Sequence, residues 1–133
     1  MILLDTHVSV WWVNGDSSLA PGVTQLIREH EGDGLGVSII SCWEIAKKVS
    51  LNRLSLDRSL DVWLSGAIGY PGVELLGLTP EIVIESTRLP GSFHRDPADQ
   101  LIVATARVLG VPLLTLDQQI LRYEHVTFPT ISP

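Results

Sequence analysis

Cysteine occurs once, at Cys42, so no disulfide can form within the chain and the fold must rest on its core. Long hydrophobic runs are also missing. None approaches the roughly 18–20 apolar residues that a membrane helix needs, and no segment joins a basic start to an apolar stretch of roughly 7–15 residues, as a secretory leader does. The expectation is a cytoplasmic protein that does not enter the membrane. Positive charge is scarce: nine Lys and Arg against 15 Asp and Glu give a net charge of −6. That balance speaks against nucleic-acid binding through a broadly basic surface. It does not exclude such binding if the acids gather around divalent cations, which neutralise or reverse the local charge. Repeats, low-complexity stretches and linkers are absent too. What remains, 133 residues at 45% apolar and 18% charged, is the composition of one domain (residues 1–133) with a sizeable core.

Short apolar strands alternate with helical stretches along the chain. Met1–Leu4 reads as a strand that stops at Asp5-Thr6-His7, and Val8–Val13 as a short helix broken by Asn14-Gly15-Asp16. The next helix, Leu19–His30, has Ser18 as its expected cap and Pro21 in its first turn. Leu35–Ser38 is a second strand. A helix follows from Ser41, whose S-x-x-E spacing to Glu44 suggests a capping box. After a polar turn at Asn52–Asp57 come a helix at Leu60–Ile68, a strand at Val73–Leu78, and a helix from Thr79-Pro80 to about Arg88. The segment from His94 to Asp117 has the clearest grammar. Asp96 stands as N-cap before Pro97, Asp99 falls at the third helical position, and Gly110 ends the helix. Val111–Leu116 lacks polar alternation, as a strand buried on both faces does, and delivers Asp117. One or two helical turns over Gln118–Tyr123 and an edge strand at Val126–Phe128 complete the pattern. It predicts a three-layer α/β domain with a mostly parallel sheet.

Five acids stand at strand-to-helix junctions: Asp5, Glu44, Asp96, Asp99 and Asp117. Each alone has an ordinary reading as a cap or helix-dipole acid. Together they imply more, because a parallel sheet sends all its strand ends of one polarity to one edge, where ligands collect. Four or five carboxylates in one place would cost several kcal/mol of repulsion, or shift their pKa values, without a cation. Oxygen-only ligands favour Mg²⁺ or Mn²⁺ over Zn²⁺, and such ions serve phosphoryl chemistry. Lys47, Lys48, Arg53 and Arg95 are available as a phosphate-binding rim, or are scattered surface charge. His7 and His94 flank acids and read first as hydrogen-bonded structural residues, with phosphate contact or proton transfer as the alternative. Trp11, Trp12, Trp43 and Trp63 read first as packing residues, with base stacking as the alternative. Cys42 reads as a small buried residue rather than a nucleophile.

MILLDTHV at the start, VSIISCWEIAKKVSLNRL in the middle and HRDPADQLIVATA followed by LLTLD near the end together resemble the PIN-domain family, and within it the VapC-type toxins of toxin-antitoxin pairs. The resemblance covers essentially the whole chain. It implies an α/β/α fold and an Mg²⁺- or Mn²⁺-dependent endoribonuclease acting on tRNA, rRNA or mRNA. It also implies a cognate VapB-like antitoxin that blocks the site, and a homodimer. Asp5, Glu44, Asp99 and Asp117 match the family's acidic quartet, and Asp96 matches an extra acid that either holds a second metal or only caps the helix. Thr6 and Thr115 match hydroxyl neighbours that orient acids or waters, a role open to Ser41 alongside capping. Ala98 and Gln100 depart from the aromatic and arginine common in such relatives, and Leu116 from a small residue. None of these departures touches the acids. Two other functions compatible with the residues are a non-catalytic antitoxin-binding module and a metal-dependent phosphoesterase acting on DNA or a small phosphoester.

Overall fold

The computed structural model describes residues 1–131. Eleven elements follow in order: β1 (Ile2–Leu4), α1 (Thr6–Asn14), α2 (Pro21–His30), β2 (Leu35–Ser38), α3 (Ile39–Ser50), α4 (Leu60–Ile68), β3 (Val73–Leu76), α5 (Pro80–Ser86), α6 (Pro97–Leu109), β4 (Leu113–Leu114) and α7 (Gln118–Leu121). The four strands form one parallel sheet in the order β3-β2-β1-β4. β1 is central, and the chain builds outward from it in both directions. The connection from β3 through α5 and α6 crosses β2 and β1 to reach β4 on the far side. The gap between β1 and β4 is therefore the topological switch point, outside whose carboxyl end an open α/β sheet binds ligands.

The two-residue period of a strand explains the layers. Ile2 and Leu4 face one side and pack with Val8, Trp12, Val23, Leu26 and Ile27 of α1 and α2. Leu3 faces the other side and packs with Ile102, Val103 and Ala106 of α6 and with Ile120 of α7. Leu114 and Leu113 divide between the two faces in the same way. Each such Leu or Ile, fully buried, contributes about 1.5–3 kcal/mol. A third cluster of Val10, Ile45 and Trp63 joins α1, α3 and α4.

Several local expectations are corrected. α3 starts at Ile39 with Ser38 as its N-cap, the Ser38 hydroxyl accepting from the Ile40 N–H. Ser41 is therefore an interior helix residue, fully buried, and the expected capping box does not form. Ser18 does not cap α2 either: its N-cap is Ala20, with no side-chain bond. The last strand shortens to Leu113–Leu114 because β1 ends at Leu4 and Asp5 turns into α1, leaving Thr115 and Leu116 without a strand to pair with. Val126–Phe128 forms no strand. One backbone bond, from the Leu113 N–H to the Thr127 carbonyl at 2.9 Å, docks it, and Pro129 restricts Phe128 and offers no N–H of its own. α6 follows expectation, with Asp96 as N-cap, Pro97 at N1 and Gly110 in the left-handed region at φ 64°.

Candidate active site

Four of the five acids singled out by the sequence sit just after the carboxyl end of a strand or at a helix start, and Glu44 sits inside α3. Asp5 is the N-cap of α1 and is almost fully buried. One of its oxygens accepts from the Thr6 N–H at 2.8 Å and the other from the Thr115 hydroxyl at 2.7 Å. Thr115 stands immediately after β4, so that bond closes the switch point from strand to strand. The same hydroxyl accepts from the Asp117 N–H at 3.1 Å. Asp117 itself caps α7, its Oδ1 accepting from the N–H groups of Gln119 and Ile120.

Glu44, the sixth residue of α3, points back toward the start of α1. Its Oε1 accepts from the Thr6 hydroxyl at 2.5 Å, and that hydroxyl also lies 2.9 Å from Ser41 Oγ. Thr6 thus ties α1 to α3 and fixes one oxygen of the acid. Burial pushes the Glu44 carboxyl above its usual range, and the charges of Asp5 and Asp96 push the same way against the Thr6 bond and Lys48. Asp99 accepts from or donates to His94 Nε2 at 2.6 Å, according to which group carries the proton. His94 stacks on Phe93, and the Gln100 amide holds the His94 carbonyl at 3.2 Å. The Asp99 carboxyl is pushed up to about 6, chiefly by burial, with Asp96 and Asp5 adding repulsion and His94 acting in the opposite sense.

The structure brings three acids into ligand range of one another. Carboxylate oxygens of Glu44, Asp96 and Asp99 all lie within 4.8 Å of each other. This set fits a hard divalent cation: the donors are all oxygen, and burial disfavours the charged forms of Glu44 and Asp99 in the absence of a counter-charge. Asp96 also accepts from the Asp99 N–H at 3.1 Å as N-cap of α6. Asp5 and Asp117 are not in this trio; both oxygens of Asp5 accept hydrogen bonds, while Asp117 caps α7 through Oδ1 alone.

Among the cations, Lys47 and Arg95 are exposed, and Lys48 Nζ lies 3.3 Å from His7 Nε2. Trp12 and Trp63 are buried, Trp63 donating its N–H to Asn14 at 2.8 Å, whereas Trp43 is 56% exposed. Cys42 is half-buried, and burial pushes its thiol above the usual range, which disfavours the thiolate. Sequence reasoning did not find the Gln100–His94 contact or the Thr6–Ser41 pair. The Thr6-to-Glu44 link had no sequence signal, since its partners are 38 residues apart.

Residues 2–126 match the PIN domain family. The chain belongs to that family. Among curated proteins this PIN domain is similar to Ribonuclease VapC22 of Mycobacterium tuberculosis (strain ATCC 25618 / H37Rv), with 36% identity over 124 residues, 93% of this chain and 92% of that protein. Its fold is shared with solved toxin-antitoxin structures. A chain of VapBC2 from Rickettsia felis bound to a promoter DNA fragment superposes with a TM-score of 0.72 at 14% identity, covering 99% of this PIN domain and all of that chain. A chain of DNA-bound VapBC from Salmonella typhimurium gives a TM-score of 0.68 at 16% identity and 96% coverage of both. The four parallel strands and flanking helices of the PIN domain are thus the arrangement found in those complexes.

Proposed function

We propose that this PIN domain is the endoribonuclease toxin of a toxin-antitoxin pair, working with Mg²⁺ or Mn²⁺ in the cytoplasm and held inactive by a VapB-like antitoxin. The observation that carries the reading is the Glu44–Asp96–Asp99 trio at the sheet's carboxyl edge, in a chain 36% identical to a VapC ribonuclease. Asp5, Glu44, Asp96, Asp99 and Asp117 are the acids assigned to the ion, three of them already within ligand range of each other. When bound, the ion polarises the scissile phosphate and acidifies a water.

The chain's own residues do the rest. Thr6 and Thr115 hold Glu44 and Asp5 in fixed rotamers through 2.5 Å and 2.7 Å bonds, so the carboxylates need not reorganise when substrate arrives. The water oxygen attacks phosphorus in line, and the bond from phosphorus to the 3′-oxygen breaks. A 5′-phosphate and a 3′-hydroxyl result. Glu44 accepts the water's proton; the leaving 3′-oxygen takes a proton from solvent. Lys47, Lys48 and Arg95 contribute phosphate contacts on the rim. The antitoxin blocks the acids, an arginine being the side chain best suited to pair with them, and the toxin acts as a homodimer.

The test is cleavage of a labelled total-RNA pool by purified protein with Mg²⁺, Mn²⁺ or EDTA. Discrete EDTA-sensitive cuts with 5′-phosphate ends are expected, lowered about 100-fold or more by Asp5→Asn and by Asp99→Asn. Equal behaviour of wild type and both variants in every metal would remove the acids from catalysis and overturn the reading.

A further inference from the structure

A cavity of about 200 Å³ opens beside the acid trio, between α1 and α3. Thr6 is its shared wall, since the hydroxyl that holds Glu44 belongs to a residue that also lines the cavity. Lys48 stands one helical turn, ~5.4 Å, beyond Glu44 on the same face of α3, and His7 is the residue after Thr6. Ile45 and Leu54 give the floor apolar surface, and Trp11 and Arg53 complete the wall. The Trp11 and His7 rings lie 6.0 Å apart at 46°. Trp11 is half-buried, so part of its indole remains open.

Local charge sets this cavity apart. The molecule carries −6 overall with only nine Lys and Arg, yet two of those nine and a histidine converge here. The ion pairs among the described residues engage Arg58 and Arg107 and leave Lys48 and Arg53 without a carboxylate partner. The volume is below the roughly 300–1,000 Å³ of a site that encloses a whole small-molecule ligand. It suits one ring system with an attached anion, continuous with something larger outside. An apolar floor, an indole and cations together are what holds a nucleotide of a single strand, the base by stacking and the backbone by charge.

We propose that this cavity is a nucleotide subsite, holding one base and its adjoining phosphate of single-stranded RNA beside the scissile bond. Trp11 supplies the stacking surface, and Lys48, Arg53 and His7 supply the phosphate contacts. The assignment rests on the nuclease reading for its substrate, and it locates selection among RNA sequences in a pocket separate from the acids. Stacking tolerates every base, so the pocket selects by ring size and by whether the strand can unstack there.

Two measurements test it. Binding of a fluorescently labelled, mixed-sequence single-stranded RNA oligomer is followed by anisotropy in Mg²⁺ on an Asp99→Asn background, and cleavage rates are taken on the otherwise native protein. Trp11→Leu is expected to weaken binding about 5- to 100-fold with an unchanged salt slope, and Trp11→Phe to restore most of it. Arg53→Gln is expected to weaken binding and to reduce the salt slope by about 0.7, one phosphate contact on a single strand. Both should raise KM and leave kcat nearly unchanged, whereas Arg88→Gln, at an exposed position after α5, should do neither. Arg53 is exposed, so its variant leaves the core intact. If wild type cuts RNA and neither variant changes KM or binding beyond Arg88→Gln, the subsite is overturned while the nuclease reading stands. If no RNA is cut yet both variants lose binding as described, the nuclease reading fails and the pocket stands as a single-strand binding site without a scissile bond beside it.

Discussion

At the scale of single residues, Asp99 is caught between a capped helix start and its neighbours' charge. Burial, Asp96 and Asp5 push its carboxyl from 3.8 to about 6. Between those values the folded, metal-free protein holds a proton that the unfolded chain has released. This group's contribution to stability is therefore fully present below about pH 4 and is lost as pH rises through about 6. Asp99→Asn should then leave stability unchanged near pH 4 and raise it by on the order of 2 kcal/mol at pH 8 in EDTA, read by urea unfolding. Magnesium should act in the opposite sense. It competes with that proton, so its stabilising effect should grow from pH 5 to pH 8 in wild type and be much smaller in the variant. Thr115→Val tests the other carboxylate. It strips a buried hydrogen bond from Asp5, and a loss of about 1–3 kcal/mol in stability with a 10- to 100-fold loss of cleavage is expected. At this scale the sequence left capping and metal binding as rivals for Asp96. The structure shows why the choice was false: a carboxylate has two oxygens, and one bond to the Asp99 N–H does not consume it.

At the scale of elements, legibility followed how local the governing interaction is. α6 was readable to the residue because Asp96, Pro97 and Gly110 each act within one turn of the helix end they mark. The N-cap of α3 lies three residues before the one expected. Ser38 and Ser41 are both plausible caps, and what decides between them is the length of β2 paired with β1 and β3, a tertiary matter. The consequence reached the site: Glu44 sits one and a half turns inside its helix instead of in a capping box, and its oxygen is free to meet Thr6. β4 shows the same limit, since its extent depends on where β1 stops. The turn entering β3 offers a test at this scale. Gly72 has φ 83°, and a Cβ there would lie 2.5 Å from the Glu31 carbonyl oxygen at the end of α2. Both the strain and the clash involve backbone, so Gly72→Ala should cost about 2 kcal/mol or more, seen as a fall in Tm without loss of RNA specificity in the protein that remains folded.

At the scale of the whole molecule, the order β3-β2-β1-β4 places the first strand made at the centre and the last strand made beside it. Ion binding should therefore tighten the whole domain, since the acids come from α3, α6 and the ends of β1 and β4. Mg²⁺ at 100 times its dissociation constant should add about 2.7 kcal/mol to unfolding, measurable as a rise in Tm that Asp96→Ala or Asp99→Asn reduces. The alternation of strands and helices made the α/β architecture legible from sequence, but the placement of β4 next to β1 rests on pairings between the two ends of the chain, which no local pattern encodes. Those pairings carry a temporal consequence. The bond from Thr115 to Asp5 spans 110 residues, so a ribosome synthesising this protein must have made nearly all of it before the second oxygen of Asp5 acquires its partner. On the nuclease reading, a chain cut short before β4 would lack both Thr115 and Asp117, and it is expected to cut no RNA.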